Sequence, residues 1–275
     1  MANITAADVN KLRKMTGAGM MDCKKALVEA EGDFEVAIDV LRKQGQKVAA
    51  KRADREAGEG AVLAACNPNN TRGTIISLNC ETDFVAKNDS FVALASDILK
   101  VAVNNSPATH ADLMALAFDE KMTVSEKLIE QTGVIGEKLE ISSFEVVEAP
   151  YVTFYIHAGN KLATLVGLNH TAEEAGKNIA MQAAAMSPVA LKRDEVSQEA
   201  IDRELEVGKE LARQEGKAED MLEKIALGRL NKFFKESTLE EQEYIKDSKL
   251  SVSQYLKSVN KDLSLTAFRR VALQS

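Results

Sequence analysis

Residues 72–107 read RGTIISLNCETDFVAKNDSFVALASDILKVAVNNSP, and residues 162–188, LATLVGLNHTAEEAGKNIAMQAAAMSP, repeat the same pattern in a shorter form. Each segment has the composition of a strand ending in Leu-Asn, followed by a helix closed by a proline. Leu78-Asn79 corresponds to Leu168-Asn169 at an offset of 90 residues, whereas Pro107 corresponds to Pro188 at an offset of 81. The pattern predicts a duplicated core whose first copy has nine extra residues (90 minus 81) at the strand exit.

The extra residues 80–88 have the sequence CETDFVAKN, and we call them the Asp-Phe loop. Asp83 places a carboxylate beside the apolar ring of Phe84, where a short turn would be enough to connect a strand to a helix. Loops on a rigid scaffold often carry binding residues, and an exposed Phe can enter a partner's pocket. Alternatively, Phe84 folds back over the core while Asp83 caps the following turn. Spacing alone does not separate these two readings.

Composition limits the class of protein. The 275 residues are enough for two or three modest domains, and the net charge of −7 argues against a general nucleic-acid binder. The three cysteines have no C-x-x-C spacing, so we expect neither a disulfide framework nor a zinc ribbon. Without a charged-then-apolar leader or an apolar run of roughly 18 residues, we expect a cytoplasmic protein that does not span a membrane.

Several helices and strands are predicted along the chain. Residues 5–45 read as three short helices, with a break at the glycine-rich residues 16–19. Residues 60–105 predict a β-hairpin and a helix, and two more strands are predicted over residues 153–168. A final strand is predicted over residues 265–273.

Residues 197–235 predict two charged helices joined by a glycine turn, which is typical of an antiparallel helical hairpin. Ile201 and Leu205 share a face with either Leu211 or Ala212. We expect the two helices to pack through the apolar residues Ile201, Leu205 and Leu211 on the first, and Met221, Ile225 and Leu230 on the second.

No catalytic, metal-binding or cofactor-binding constellation is predicted. The Gly17-Ala18-Gly19 sequence lacks a preceding strand and a following Gly-Lys-Ser/Thr, so it is interpreted as a turn between helices. The histidines are isolated, and no nucleophile motif is present. His157 is of more interest because it precedes Gly159 at a predicted hairpin turn, although a polar residue ending a strand is an equally good interpretation.

Three motifs resemble the elongation factor Ts family, the guanine-nucleotide exchange factors of bacterial elongation factor Tu. They are LRKMTGAGMMDCKKAL over residues 12–27, NCETDFVAK over 79–87 and HAGNK over 157–161, and the resemblance extends over nearly the whole chain. It implies an α+β fold with an N-terminal three-helix ubiquitin-associated-like bundle, a duplicated α+β core with antiparallel sheets, and an inserted antiparallel coiled-coil hairpin. The corresponding domain boundaries are 1–56 for the bundle and linker, 57–149 for the first core half, 150–190 with 236–275 for the second, and 191–235 for the hairpin.

The resemblance also implies roles for individual residues. The stretch Thr82, Asp83, Phe84 and Val85 would enter the GTPase domain of elongation factor Tu near its magnesium site. His157 would belong to the same contact surface. The N-terminal bundle would grip a helix of that domain, and we expect its contact residues to form an exposed apolar patch of Leu12, Met20 and Met21.

The expected partner is therefore elongation factor Tu, with no cofactor and no direct contact with nucleic acid or membrane. The helical hairpin is a candidate for self-association. Two other functions were weighed: a ubiquitin-associated-like protein-binding module without exchange activity, and an enzyme acting on nucleotides. The Asp-Phe loop has no role in the first, and the lack of a phosphate loop or metal cluster opposes the second.

Overall fold

The computed structural model describes residues 4–273 and has the predicted α+β architecture of helices and antiparallel sheets. Within that range, no helix is long and apolar enough to cross a membrane.

An N-terminal bundle is formed by α1 (Ala6–Thr16), α2 (Met20–Glu29) and α3 (Phe34–Arg52). The Thr5 hydroxyl oxygen accepts the Asp8 N–H, and the Asp8 carboxylate accepts the Thr5 N–H, so a capping box begins α1. Gly17 ends α1 with a φ of 72°, a left-handed conformation that glycine adopts without strain. The predicted break between the first two helices is confirmed.

Leu12 corrects one expectation. Its side chain is fully buried in the bundle core with Val9, Cys23 and Leu27. Leu12 lies one turn after Val9 on the inner stripe of α1, and the small bundle has few other large side chains with which to fill its centre. The prediction that Leu12 forms part of an exposed apolar patch is therefore wrong.

The first half of the core contains an antiparallel sheet of β1 (Glu59–Cys66), β2 (Arg72–Cys80) and β3 (Glu140–Glu148), in that order. Its helices are α4 (Asp83–Ala86), α5 (Asp89–Asn105), α6 (His110–Ala115) and α7 (Val124–Ile135). Helix α5 covers one face of the sheet with Phe91, Leu94 and Ile98. A capping box of Thr123 and Glu126 begins α7.

The second half repeats this arrangement with β4 (Tyr151–Ile156), β5 (Leu162–Leu168), α8 (Glu173–Met186) and, at the end of the described chain, β8 (Leu265–Ala272). The strand order is β4-β5-β8, and all pairs are antiparallel. Helix α8 covers this sheet through Ala175, Ile179 and Ala183.

Two irregularities recur at equivalent positions in the two halves. The strand register shifts between Ser77 and Leu78 in one sheet and between Gly167 and Leu168 in the other. Helices α5 and α8 both end at a serine with a left-handed backbone, Ser106 at φ 49° and Ser187 at φ 46°. Each serine directly precedes the proline that ends the repeated segment. These shared irregularities support the predicted duplication.

The two sheets pack against each other through their remaining faces. Val62 and Ile75 of the first sheet meet Val152 and Leu165 of the second in one hydrophobic cluster. The contact is close at Gly73, where an added Cβ would lie 2.6 Å from a methyl carbon of Leu165. The core is thus a two-sheet sandwich with helices on its outer faces.

The helical hairpin consists of α9 (Gln198–Gln214) and α10 (Leu222–Ser237), with a left-handed glycine, Gly216, in the turn. Ala212 and Leu222 are buried, whereas Leu211 and Met221 are 40% and 45% exposed. The expected packing of Leu211 against Met221 is therefore wrong by one residue on each helix. The small residues Gly208 and Ala226 explain the shift, because they let the helices approach closely.

Three short elements lead back to the core: β6 (Glu243–Tyr244), β7 (Asp247–Ser251) and α11 (Val252–Val259). A capping box of Ser251 and Gln254 begins α11. The β6–β7 hairpin was not predicted, because its strands are short and largely polar.

Candidate functional site

The Asp-Phe loop leaves β2 and forms a single helical turn, α4, before α5 begins. The Thr82 hydroxyl oxygen accepts the Val85 N–H and caps this turn. Val85 and Ala86 face inward and pack against the first hydrophobic cluster. Phe84 points away, and its side chain is 85% exposed. The alternative in which Phe84 covers the core is therefore wrong.

Asp83 is ionised at neutral pH. Its carboxylate accepts a hydrogen bond from Lys87 Nζ at 2.6 Å, and this contact holds the pKa of Asp83 below its usual range. The positive charge of Lys161 lowers the pKa of Asp83 further. The loop thus places an ionised carboxylate, paired with Lys87, directly beside an exposed aromatic ring.

The backbone of the loop is held by a carboxylate that is distant in sequence. Glu137 Oε2 accepts the N–H groups of Glu81 and Thr82, at 3.1 and 3.0 Å. Glu137 Oε1 accepts the Thr82 hydroxyl at 2.6 Å. Three donors at the start of the loop are therefore satisfied by one side chain.

A second carboxylate, that of Glu81, ties the loop to two other elements. Both carboxylate oxygens of Glu81 accept hydrogen bonds from Arg52 Nη1, each at 2.8 Å. Glu81 Oε1 also accepts the backbone N–H of Lys138 at 2.7 Å. The Lys138 hydrogen bond and the guanidinium of Arg52 lower the pKa of Glu81, so it is charged at neutral pH. Arg52 is the last residue of α3, and the loop is thereby connected to the N-terminal bundle.

Cys80, the first residue of the loop, helps to hold the loop backbone. Its buried thiol donates to the Thr82 carbonyl at 3.2 Å. Burial, together with the negative charge of Glu137, raises the pKa of Cys80 to about 12. The thiol is therefore protonated and contributes packing and a weak hydrogen bond rather than nucleophilic chemistry.

The turn that carries His157 lies next to the Asp-Phe loop. Asn160 accepts the N–H of Val62 at 2.7 Å, and Lys161 pairs with Glu59 at 3.1 Å, so the turn lies against β1. His157 is exposed, and its Nδ1 lies 3.1 Å from the Tyr155 hydroxyl. The turn is thus held against β1, whose first residue, Glu59, pairs with Cys80 at the start of the loop. That His157 shares a contact surface with residues 82–85 stays a prediction.

The proposed docking residues lie elsewhere, on the bundle. Met20 and Met21, in the first turn of α2, are 52% and 64% exposed. Helix α2 packs mainly against α1 and α3. Met20 and Met21 are thus exposed on the surface of the bundle, whereas Leu12 lies in its interior.

Sequence reasoning missed Arg52, Glu137 and Lys138, the residues that hold the Asp-Phe loop. Glu137 follows Gly136, whose left-handed backbone ends α7. A helix ending in glycine is visible in the sequence. The sequence does not show which distant backbone groups the Glu137 side chain reaches. Among the described residues, no group of three or more His, Cys, Asp or Glu side chains has an arrangement that could hold a metal ion.

Comparisons with known proteins agree with this architecture. Residues 81–275 match the family model described as Elongation factor TS. The chain is 60% identical over 277 residues to Elongation factor Ts of Christiangramia forsetii, with 99% of this chain and 100% of the relative covered. The same coverage holds for Elongation factor Ts of Flavobacterium psychrophilum at 55% identity over 276 residues, and of Cytophaga hutchinsonii at 51% over 277. The chain belongs to the elongation factor Ts family of translation elongation factors.

Proposed function

We propose that this chain, as a member of that family, is a guanine-nucleotide exchange factor that acts in the cytoplasm on elongation factor Tu. It binds the GDP-loaded form, inserts the Asp-Phe loop near the magnesium and nucleotide site, promotes GDP release and allows GTP to bind. The observation that carries this proposal is the 85% exposed ring of Phe84 on a loop that is held by two carboxylates. Glu137 accepts backbone N–H groups at the start of the loop, and the Glu81 side chain accepts the N–H of Lys138.

The exposed ring supplies binding free energy. A Phe buries roughly 150–250 Å² when it enters a pocket, and each Å² is worth about 25 cal/mol. Ordering a flexible loop would consume part of that gain, but this loop is already ordered. A ring on a fixed turn is therefore suited to act as an anchor.

Asp83 adds a negative charge at the same point. A GTPase holds Mg²⁺ and the nucleotide phosphates through loops and a helix that must be accurately arranged. A carboxylate brought into that region competes with phosphate oxygens for the same cationic and N–H groups. Asp83 would therefore weaken the hold on magnesium and GDP, once Phe84 has entered the domain.

Nucleotide exchange follows from the thermodynamic linkage between binding of the factor and binding of GDP. If the factor binds nucleotide-free elongation factor Tu more tightly than the GDP-loaded form, GDP affinity in the complex falls by the same ratio. The chain need not bind nucleotide itself. Contacts by Met20 and Met21 on the bundle would add affinity for the complex, and His157 would extend the surface around the loop.

Stopped-flow fluorescence tests this function. Elongation factor Tu is loaded with a fluorescent GDP and mixed with excess unlabelled GDP and increasing concentrations of this protein. We expect a release rate that rises with concentration and then saturates. Complex formation by light scattering without faster release would instead favour the protein-binding module without exchange activity.

A further inference from the structure

We propose that Glu137 is a positioning residue that holds the Asp-Phe loop in its active shape before any partner binds. The inference rests on the proposed exchange function and deepens it. Glu137 itself need not contact the partner, because its effect passes through the backbone of Glu81 and Thr82.

The geometry is that of one carboxylate satisfying several donors. Oε2 accepts two consecutive backbone N–H groups, of Glu81 at 3.1 Å and of Thr82 at 3.0 Å. Oε1 accepts the Thr82 hydroxyl at 2.6 Å, which orients that oxygen toward the Val85 N–H. Hydrogen bonds to an ionised acceptor are about twice as strong as neutral ones. Glu137 thus determines both the path of the chain and the cap of α4.

Glu137 can do this because its own backbone is fixed. It follows directly after α7, where Gly136 takes a φ of 81° and the Gly136 N–H binds the Thr132 carbonyl. Helix α7 is anchored in the core by Val124 and Leu128, which are buried in the first hydrophobic cluster. The carboxylate therefore stands on a rigid support that lies 55 residues from Thr82 in sequence.

The loop needs such a support because few other contacts order the residues that follow its start. Helix α4 has four residues, far fewer than the 12–15 or so at which an isolated helix becomes marginally stable. Phe84 contributes almost no packing, since its ring is exposed. Apart from Cys80 at the start of the loop, only Val85 and Ala86 are packed against the first hydrophobic cluster. Without Glu137, the residues after the start of the loop would sample more conformations, and their ordering would oppose binding.

The Glu81 contacts make the test feasible. In a Glu137 variant, Glu81 still pairs with Arg52 and Lys138, so the start of the loop stays near its native position. The expected defect is therefore local disorder of the loop rather than unfolding of the chain.

The first measurement is amide hydrogen exchange in the isolated full-length protein. Glu137→Ala should accelerate exchange of the Glu81 and Thr82 amides by roughly tenfold or more, because each loses a charge-assisted hydrogen bond. Glu137→Gln keeps a carbonyl oxygen that accepts the same N–H groups, and it should restore most of the protection. The matched control, Glu140→Ala, removes a nearby carboxylate that pairs with Lys138 and should leave both amides unchanged.

The second measurement is stimulated GDP release from elongation factor Tu. Glu137→Ala should lower the saturating rate about tenfold, corresponding to about 1.4 kcal/mol. The concentration at half-maximal stimulation should change less than twofold, because the bundle still docks. Glu137→Gln should recover at least half of the saturating rate. A purely structural role would instead lower the folded fraction, and Glu137→Gln would not restore it.

Three results would overturn the proposal. The first is that the Glu81 and Thr82 amides stay protected in Glu137→Ala. The second is that these amides open but the saturating rate is unchanged. The third is accelerated exchange throughout the core of both Glu137→Ala and the shortened variant Glu137→Asp. If the wild-type protein did not stimulate release, the proposed function would fail, while the amide measurement would still report whether Glu137 orders the loop.

Discussion

Gly45 on α3 and Gly133 on α7 are in backbone contact, so close that a Cβ added to Gly133 would lie 2.5 Å from the Cα of Gly45. This contact joins the N-terminal bundle to the core. The same two helices lead to the Asp-Phe loop, because α3 ends at Arg52 and α7 is followed by Glu137. The N-terminal bundle and the loop that carries Phe84 are thereby connected through one helix pair.

The Gly133→Ala variant tests this helix contact. The added methyl group meets backbone rather than a flexible side chain, so α3 and α7 must move apart. We expect a loss of about 1–3 kcal/mol in the free energy of unfolding, as for other overpacked sites, and slower GDP release. Gly228→Ala is the control, since nothing lies within 4 Å of its Cβ position and alanine favours the helix. Equal stability of Gly133→Ala and wild type in urea unfolding would exclude a close contact.

The ion pair of Glu81 and Arg52 should make stability depend on pH. The folded-state pKa of Glu81 lies below its ordinary value of 4.5. Its contribution is therefore present at neutral pH and lost as the pH falls through that lowered pKa. We expect Glu81→Gln to be about 1 kcal/mol less stable than wild type at pH 7, and the difference to shrink at about pH 3.5.

Urea unfolding at the two pH values measures this difference. Glu145→Gln provides the comparison, because Glu145 forms an exposed pair with Arg269 that should contribute little. A difference for Glu81→Gln that is the same at both pH values would show that its charge is not involved.

The Met20→Glu variant tests docking by the bundle. Met20 is the first residue of α2 and is half exposed, and a negative charge there is favourable to the helix N-terminus. We expect an unchanged melting temperature, an unchanged saturating release rate and a concentration for half-maximal stimulation at least tenfold higher. Leu12→Ala should behave differently and lose about 2–5 kcal/mol of stability, since Leu12 is buried. If the concentration of Met20→Glu needed for half-maximal stimulation were unchanged, Met20 would not be part of the interface.

The outcome for Leu12 illustrates how far the sequence could be interpreted. Hydrophobic periodicity and glycine positions predicted most helices and strands, because those signals are local. Whether an apolar residue such as Leu12 faces inward or outward depends on how three helices meet. The choice between Leu211 and Ala212 similarly depended on the close approach of Gly208 and Ala226.

The candidate functional site was likewise only partly predictable from the sequence. The extra loop with Asp83 and Phe84 could be found from the repeat, since the insertion is a property of the sequence itself. The residues that hold the loop could not be found in this way. Glu137 contacts Thr82 across 55 residues of sequence, and Arg52 contacts Glu81 across 29. Long-range hydrogen bonds of this kind are set by the packing of α3 against α7, which no local pattern encodes.

The helical hairpin should be dispensable for exchange. Its helices pack mainly against each other, and its tip is closed by Gly216 and by the pair of Arg229 with Glu215. Replacing residues 214–218 by a short linker should leave the core folded and keep much of the exchange activity. Light scattering should show a smaller assembly if the hairpin mediates self-association. A variant of normal size that had lost exchange would instead assign the hairpin to the partner contact.

The most direct test of the account is GDP release by the Phe84→Ala variant. Truncating an interface aromatic commonly costs about 2 kcal/mol, which corresponds to roughly thirtyfold slower stimulated release. The melting temperature should be unchanged, because the ring is 85% exposed. Phe91→Ala, whose ring is buried in the core, should instead lose about 3–5 kcal/mol of stability. A Phe84→Ala protein that melts as wild type and releases GDP thirtyfold more slowly is the predicted result. One that releases GDP at the wild-type rate would contradict the account.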